Sequence, residues 1–278
     1  MAQATTQPRY QQLMRWFIPA AALLAFAAWV TIAPPGLLGK ADAIGYAICH
    51  RIDERSFQIG DRQLPLCARC TGEFNAAAIS LIFFAFASGT RSGMPGWKLG
   101  APLILFFLAF GIDGSNSYLY LLKQTSNSAL ANIPNLYIPN NTLRLITGSG
   151  MGIALASILF PAFNQSVWQI PNPERALDWR KLSALIGIIA VIDILILTDN
   201  HTILYAISWM SVLGVLALLI LVFSMAWLLV MRQENAFSNL REMWMPFLAG
   251  TTLAFLMIAV IDLLRFKLTG TWGGFPLG

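Results

Sequence analysis

Residues 206–231 read AISWMSVLGVLALLILVFSMAWLLVM, an apolar run without one charged side chain. A bilayer crossing needs about 20 mostly apolar residues, so this stretch is long enough to span a membrane as a helix. The rest of the chain has the same character. Of 278 residues, 57% are hydrophobic and 11% are charged, against about a quarter charged in soluble domains. A soluble fold of this size cannot hide so much apolar surface, and the mean hydropathy of +0.64 agrees. Soluble enzymes, disordered regulators and disulfide-stapled secreted domains are excluded on these grounds. The excess of 18 Lys+Arg over 13 Asp+Glu reads as an orientation signal and contact with anionic headgroups, not as nucleic-acid binding.

Working outward, hydropathy marks seven spans: Trp16–Ala33, Cys70–Gly89, Leu99–Leu122, Leu143–Phe163, Leu182–Thr198, Ala206–Met231 and Met245–Phe266. Each must be helical, because a backbone facing lipid has to satisfy its own hydrogen bonds. Pro34-Pro35, Gly93-Met94-Pro95-Gly96 and Pro171-Asn172-Pro173 break the chain between them. The expected fold class is all-α, a polytopic helical bundle of about seven transmembrane helices with a cysteine-rich loop between the first two. The apolar piece Ala43–Ile48 is too short to cross and is expected to lie at the interface or re-enter. The first span follows Arg9 and Arg15 but runs into Pro34-Pro35 without a small-x-small cleavage site, so it reads as a retained signal anchor. Outside the cysteine loop, basic residues divide nine to four in favour of the N-terminal side. The positive-inside rule then places the N-terminus in the cytoplasm and the cysteine loop outside.

All three cysteines, Cys49, Cys67 and Cys70, fall within 22 positions, and His50 adjoins the first. Two cysteines two residues apart can grip one cation, and a third cysteine with an imidazole would complete a tetrahedral set. Zinc is the default metal for mixed thiolate and imidazole donors. On a helix, however, the side chains of Cys49 and His50 would diverge by about 100°. Both reach one ion only if the chain leaves helical geometry there; otherwise Asp53, Glu54 or water is the fourth ligand. Two alternatives stay open: a Cys67–Cys70 redox dithiol or disulfide with a third, free thiol, and three unrelated buried thiols.

The pattern Cys49-His50-Arg51, Glu54-Arg55-Ser56-Phe57 and Pro65-Leu66-Cys67-Ala68-Arg69-Cys70-Thr71-Gly72 resembles a family of small prokaryotic integral membrane proteins catalogued as domain of unknown function 2085. The family tends to add an Asp-Gly after an apolar run and an Asn-x-x-Arg-x-x-Thr-Gly stretch opening the next helix. Asp113-Gly114 and Asn141 to Gly148 match these. Glu73 departs from the pattern, which favours an apolar residue there. The resemblance covers roughly residues 40–155 and implies a membrane fold and a shared site, but no known reaction. It divides the chain into an N-terminal tail 1–15, a family-like membrane core 16–163 including the cysteine loop 40–72, and a three-helix C-terminal extension 164–278.

Ionisable groups inside spans are costly and default to functional hypotheses. Asp113 is deep in the third span and is the candidate acid/base; Arg144 opens the fourth. Asp193 and Asp262 read as interfacial groups or, for Asp262, as a partner of Arg265. Gly148-Ser149-Gly150-Met151-Gly152 reads as a helix-packing face, and His201 as a solvated loop residue. Arg51, Arg55, Asn116 and Arg144 are the candidate binding groups, an electropositive mouth for an anionic or lipid-linked ligand. The alternative for the loop arginines is local pairing with Asp53, Glu54 and Asp61. Three functions compete: an enzymatic membrane metalloprotein, a transporter, and a non-catalytic subunit of a larger membrane complex. No His-Glu-x-x-His, nucleophile elbow, Walker loop or haem-attachment motif is present, so the sequence decides neither for nor against an enzyme.

Overall fold

A computed structural model describes residues 9–125 and 132–274; the outer part of the expected N-terminal tail, residues 1–8, and the last four residues of the expected extension lie outside the described residues. Eight α-helices form the described chain: α1 (Arg9–Ile32), α2 (Leu37–Ile48), α3 (Ala68–Ala87), α4 (Trp97–Thr125), α5 (Asn141–Val167), α6 (Trp179–Leu197), α7 (His201–Val230) and α8 (Trp244–Thr269). The architecture is the expected all-α membrane bundle. Four short strands, β1 (Gln58–Ile59), β2 (Arg62–Gln63), β3 (Arg91–Gly93) and β4 (Asn172–Arg175), occur in the connections.

Polar residues set the helix starts. The side chains of Asn140, Asp178 and Asn200 accept from backbone N–H groups in the first turns of α5, α6 and α7, satisfying donors that the helix itself cannot. Gly270, at φ 68°, ends α8 in the left-handed conformation. Six helices are long and apolar enough to cross a membrane. The fifth expected span, α6, is not among them, because Arg180, Lys181 and Asp193 interrupt its 19 residues. Connectivity nevertheless carries it across. Just before α6, β4 pairs in parallel with β3; just after it, His201 accepts from the Gly60 N–H in the cysteine loop (3.3 Å). The two ends of α6 therefore lie at opposite ends of the bundle, and 19 residues rise about 28 Å, close to the hydrocarbon thickness. The same contact ties His201, read from sequence as a solvated loop residue, to that loop.

Helices α3 and α5 meet most closely. A Cβ at Gly148 would lie 2.1 Å from the Arg69 carbonyl oxygen, and one at Gly152 would lie 2.1 Å from that of Glu73. Only the missing side chains let these backbones approach, as the small-residue stripe suggested. The short apolar piece before the first cysteine belongs to α2, which is two turns longer than expected at its start and buries Ala41, Ala43, Ile44 and Tyr46. It packs against protein along this buried face. The C-terminal helices do not form a separate layer. Val212 and Val215 of α7 and Phe255 and Ile258 of α8 share one apolar cluster with Trp29, Ile44, Cys49 and Leu66.

Candidate metal centre and the polar site beside it

Helix α2 stops at Ile48, and Cys49 is extended (φ −119°, ψ 146°). The hairpin β1–β2 turns at Gly60 and returns the chain, so Cys67 arrives as the N-cap of α3 and Cys70 falls in its first turn. The three sulfurs lie within 4.8 Å of one another, and all three are free thiols. Thiolates sharing one tetrahedral zinc stand about 3.8 Å apart, so a small contraction would close the set. Backbone N–H groups of Cys67 (3.3 Å) and Arg51 (3.4 Å) point at the Cys49 sulfur. Hydrogen bonding from the Cys49 and Cys70 thiols, and the nearby Arg69, hold Cys67 well below the usual thiol range; sharing a proton with Cys67 pushes Cys49 up to about 12. The cluster thus concentrates one negative charge at the α3 N-terminus.

His50 does not join the sulfurs. Its side chain is exposed, and among the described residues the group within ligating distance is the three cysteines alone. The chain does leave helical geometry here, as shared ligation required, but it becomes extended, and successive side chains of an extended chain point to opposite faces. Asp53 and Glu54 are exposed as well, and Asp53 accepts from Gln58 (2.7 Å). The expected fourth protein ligand is therefore not in the group.

Arg51 also departs from expectation. It ion-pairs with Asp42 (3.0 Å) and donates to the Trp272 carbonyl (3.1 Å), tying the loop to α2 and to the segment after α8. Asp42, not Asp53, Glu54 or Asp61, is the carboxylate that pairs the loop arginines, taking Arg62 too. Arg265 completes the clamp by donating to the carbonyls of Tyr46, Cys49 and His50. Its guanidinium is thus turned to the loop. Asp262, 1% exposed, has no hydrogen-bond partner for either carboxylate oxygen among the described residues. Asp193 accepts from Ser149 (2.9 Å).

The remaining candidates meet around Asp113, which is 1% exposed. Arg69 reaches it through Nη2 and through Nε (3.1 Å), Tyr137 donates its hydroxyl (2.6 Å), and the Thr147 hydroxyl, which is nearer the Leu143 carbonyl (2.9 Å), lies 3.3 Å away. Arg69 takes Oδ2 and Tyr137 takes one of the two acceptor positions of Oδ1, so Asp113 holds both side chains in place, with one position of Oδ1 open among the described residues. Asn116 is equally engaged: its amide donates to the Tyr137 carbonyl (3.0 Å) and accepts from the Leu136 N–H (2.9 Å), holding the loop after α4 in place. Arg55 donates to the Ser117 carbonyl (3.0 Å), and Arg69 donates to the Ser117 hydroxyl (3.2 Å). Arg144, 6% exposed, donates to Asn141 (2.8 Å), while its Nε is buried without a partner among the described residues.

Sequence reasoning missed Tyr137 and Thr147. Thr147 had a signal: it lies one turn beyond Arg144 and so on the same helix face. Tyr137 had none, since its place depends on how the loop folds back over α4.

An uncharacterised protein of Methanocaldococcus jannaschii is 23% identical over 129 residues, covering 46% of this chain and 70% of the relative. No solved structure matches. Residues 49–158, which contain all three thiols and every member of the Asp113 node, match the model of the family described as predicted membrane protein, domain of unknown function 2085.

Proposed function

We propose that the protein is a membrane metalloprotein in which Cys49, Cys67 and Cys70 hold one zinc ion at the mouth of an arginine-lined site for an anionic or lipid-linked substrate. The observation that carries the reading is the convergence of three free thiols from two chain segments to within 4.8 Å. Thiolate donors select zinc among the common divalent ions. With three protein ligands the fourth position falls to water or substrate, the arrangement of catalytic rather than closed structural zinc. Arg55 and Arg144 bind the substrate's charge, and Asp113 and Asn116 hold the walls. Arg51 and His50 stand outside this assignment, the first as a loop tie and the second as an exposed neighbour.

Metal analysis of the detergent-purified chain tests it. About one zinc per chain is expected, as for a single mononuclear site, and His50→Ala should keep it. A metal-free wild type, or a Cys67–Cys70 disulfide found by mass spectrometry, would replace this reading with the redox one.

The orientation proposed with it has a cytoplasmic N-terminus and the thiol cluster outside. Thr90 and Asp61 are exposed at the two ends of the bundle. In intact cells a membrane-impermeant maleimide should label Asp61→Cys and spare Thr90→Cys. The reverse pattern would move the cluster to the reducing side.

A further inference from the structure

We propose that Arg55 and Arg144 form a binding site for a phosphate monoester, with Arg69, fixed by Asp113, as its third wall. This deepens the anionic-substrate reading above and rests on that reading for the site, not for the metal.

The charge count is the first argument. Arg55, Arg69 and Arg144 lie within electrostatic range of one another and of Asp113. Asp113 is the only carboxylate hydrogen-bonded to any of the three among the described residues. Three guanidiniums thus share one hydrogen-bonded carboxylate, with Glu54 and Cys67 the further acidic groups in range of Arg55, and a bound phosphate would meet a surplus of donors. Burial, and then the facing Arg69 charge, lower the Arg55 pKa, so the ligand-free cluster is held against both desolvation and repulsion.

The second argument is unused donor capacity. A guanidinium carries five N–H donors in a fork that fits phosphate oxygens in pairs. Among the described residues Arg55 has one side-chain hydrogen bond, to the Ser117 carbonyl, and Arg144 one, to Asn141. The buried Arg144 Nε has none among the described residues. Leaving such a donor unpaired in the interior costs free energy that a bound oxyanion would recover.

The third is direction. Arg69 is in the first turn of α3 and Arg144 in the first turn of α5, so two positive helix ends meet at the cluster. An apolar groove lined by Phe107, Ile112, Leu119 and Leu136 runs along α4 beside it. The monoester could therefore arrive as a lipid headgroup or as a free phosphate, and the test separates the two.

The chain is reconstituted in phosphatidylcholine nanodiscs and its equilibrium binding of radiolabelled inorganic phosphate is measured. Saturable binding is expected. Arg55→Gln and Arg144→Gln should each weaken it about tenfold or more, as loss of charge-assisted hydrogen bonds implies, while Arg62→Gln, on the separate Asp42 pair, should not. Displacement by phosphatidic acid in the nanodisc, but not by the diester phosphatidylglycerol, identifies a lipid headgroup; no displacement identifies free phosphate. The proposal is overturned if the wild type shows no saturable binding of phosphate or phosphatidic acid. It is also overturned if Arg55→Gln binds like the wild type, a test that stands even where Arg144→Gln fails to fold. Zinc is assayed in the same samples. Phosphate binding by a zinc-free chain would sink the metal reading alone, and a zinc-loaded chain without phosphate binding would sink this one alone.

Discussion

Cys67→Ser is expected to empty the metal centre, with zinc falling from about one per chain to below about a tenth. Serine keeps the shape but offers a hydroxyl that stays protonated at neutral pH, whereas zinc demands the thiolate. Cys67 is the sulfur on which the effect should be largest. Both other thiols hydrogen-bond to it, and the α3 N-terminus and Arg69 favour its charge. Such an ion would link two segments 18 positions apart, so its loss should also loosen the hairpin β1–β2. Limited proteolysis should then cut between residues 50 and 66, which resist cleavage in the wild type, while the spans stay inserted. His50→Ala is the control that separates loss of a ligand from general damage. Zinc retained by Cys67→Ser, with proteolysis unchanged, would mean that the thiols meet without a shared ion.

Gly148→Val is expected to have the largest effect on the fold itself. A Cβ at Gly148 would meet the backbone carbonyls and amides of α3, with Arg69 O at 2.1 Å. Backbone atoms cannot swing aside as a side-chain tip can, so the two helices must separate. Overpacking typically costs 1–3 kcal/mol; here the whole α3–α5 seam is displaced and a loss of about 3 kcal/mol or more is expected. The seam also carries Arg69 and Arg144, so separation would dismantle the Asp113 node. Thermal melts and size-exclusion chromatography of the solubilised protein would show it as aggregation or a strongly lowered Tm. Gly187→Val, in α6 where an added Cβ meets nothing within 4 Å, should behave like the wild type. A stable, monodisperse Gly148→Val would show that α3 and α5 are not so closely packed in solution.

The parts of the molecule legible in the sequence are those written in local pattern. Long apolar runs dictate helices because lipid offers the backbone no other hydrogen-bond partner, and seven of the eight helices follow from that rule. The thiol cluster was legible for a related reason. Cys67 and Cys70 are two residues apart and Cys49 stands 18 positions earlier, a spacing that suits one cation, while the hairpin that returns the chain to Cys49 belongs to the structure. The stripe from Gly148 to Gly152 likewise announced a close helix contact.

Tertiary structure decided what spacing leaves open. The sequence offers Arg51, Arg55, Arg62 and Arg69 in one short segment, all long and all charged. Which of them meets Asp113 depends on the direction each leaves the backbone, and that is set by the extended geometry at Cys49 and the start of α3. Arg69 takes Asp113 and Arg51 takes Asp42, where proximity in sequence offered Asp53, Glu54 and Asp61. His50 is turned away from the sulfurs for the same reason. Asp113 read as a free carboxylate in the sequence, and the structure shows it held between Arg69 and Tyr137, the second from the next loop. Hydropathy, too, is a property of a segment and not of its neighbours. It could mark α7 and α8 as spans, but not show that they wall the cysteine pocket, or that Arg265 clamps the carbonyls of Tyr46, Cys49 and His50 more than 200 positions earlier. Composition and period by themselves determined that this chain is a helical membrane bundle with its thiols in one place. Which charges surround those thiols was decided by the packing of distant helices, because a long side chain's partner is chosen by where the backbones beneath it are held.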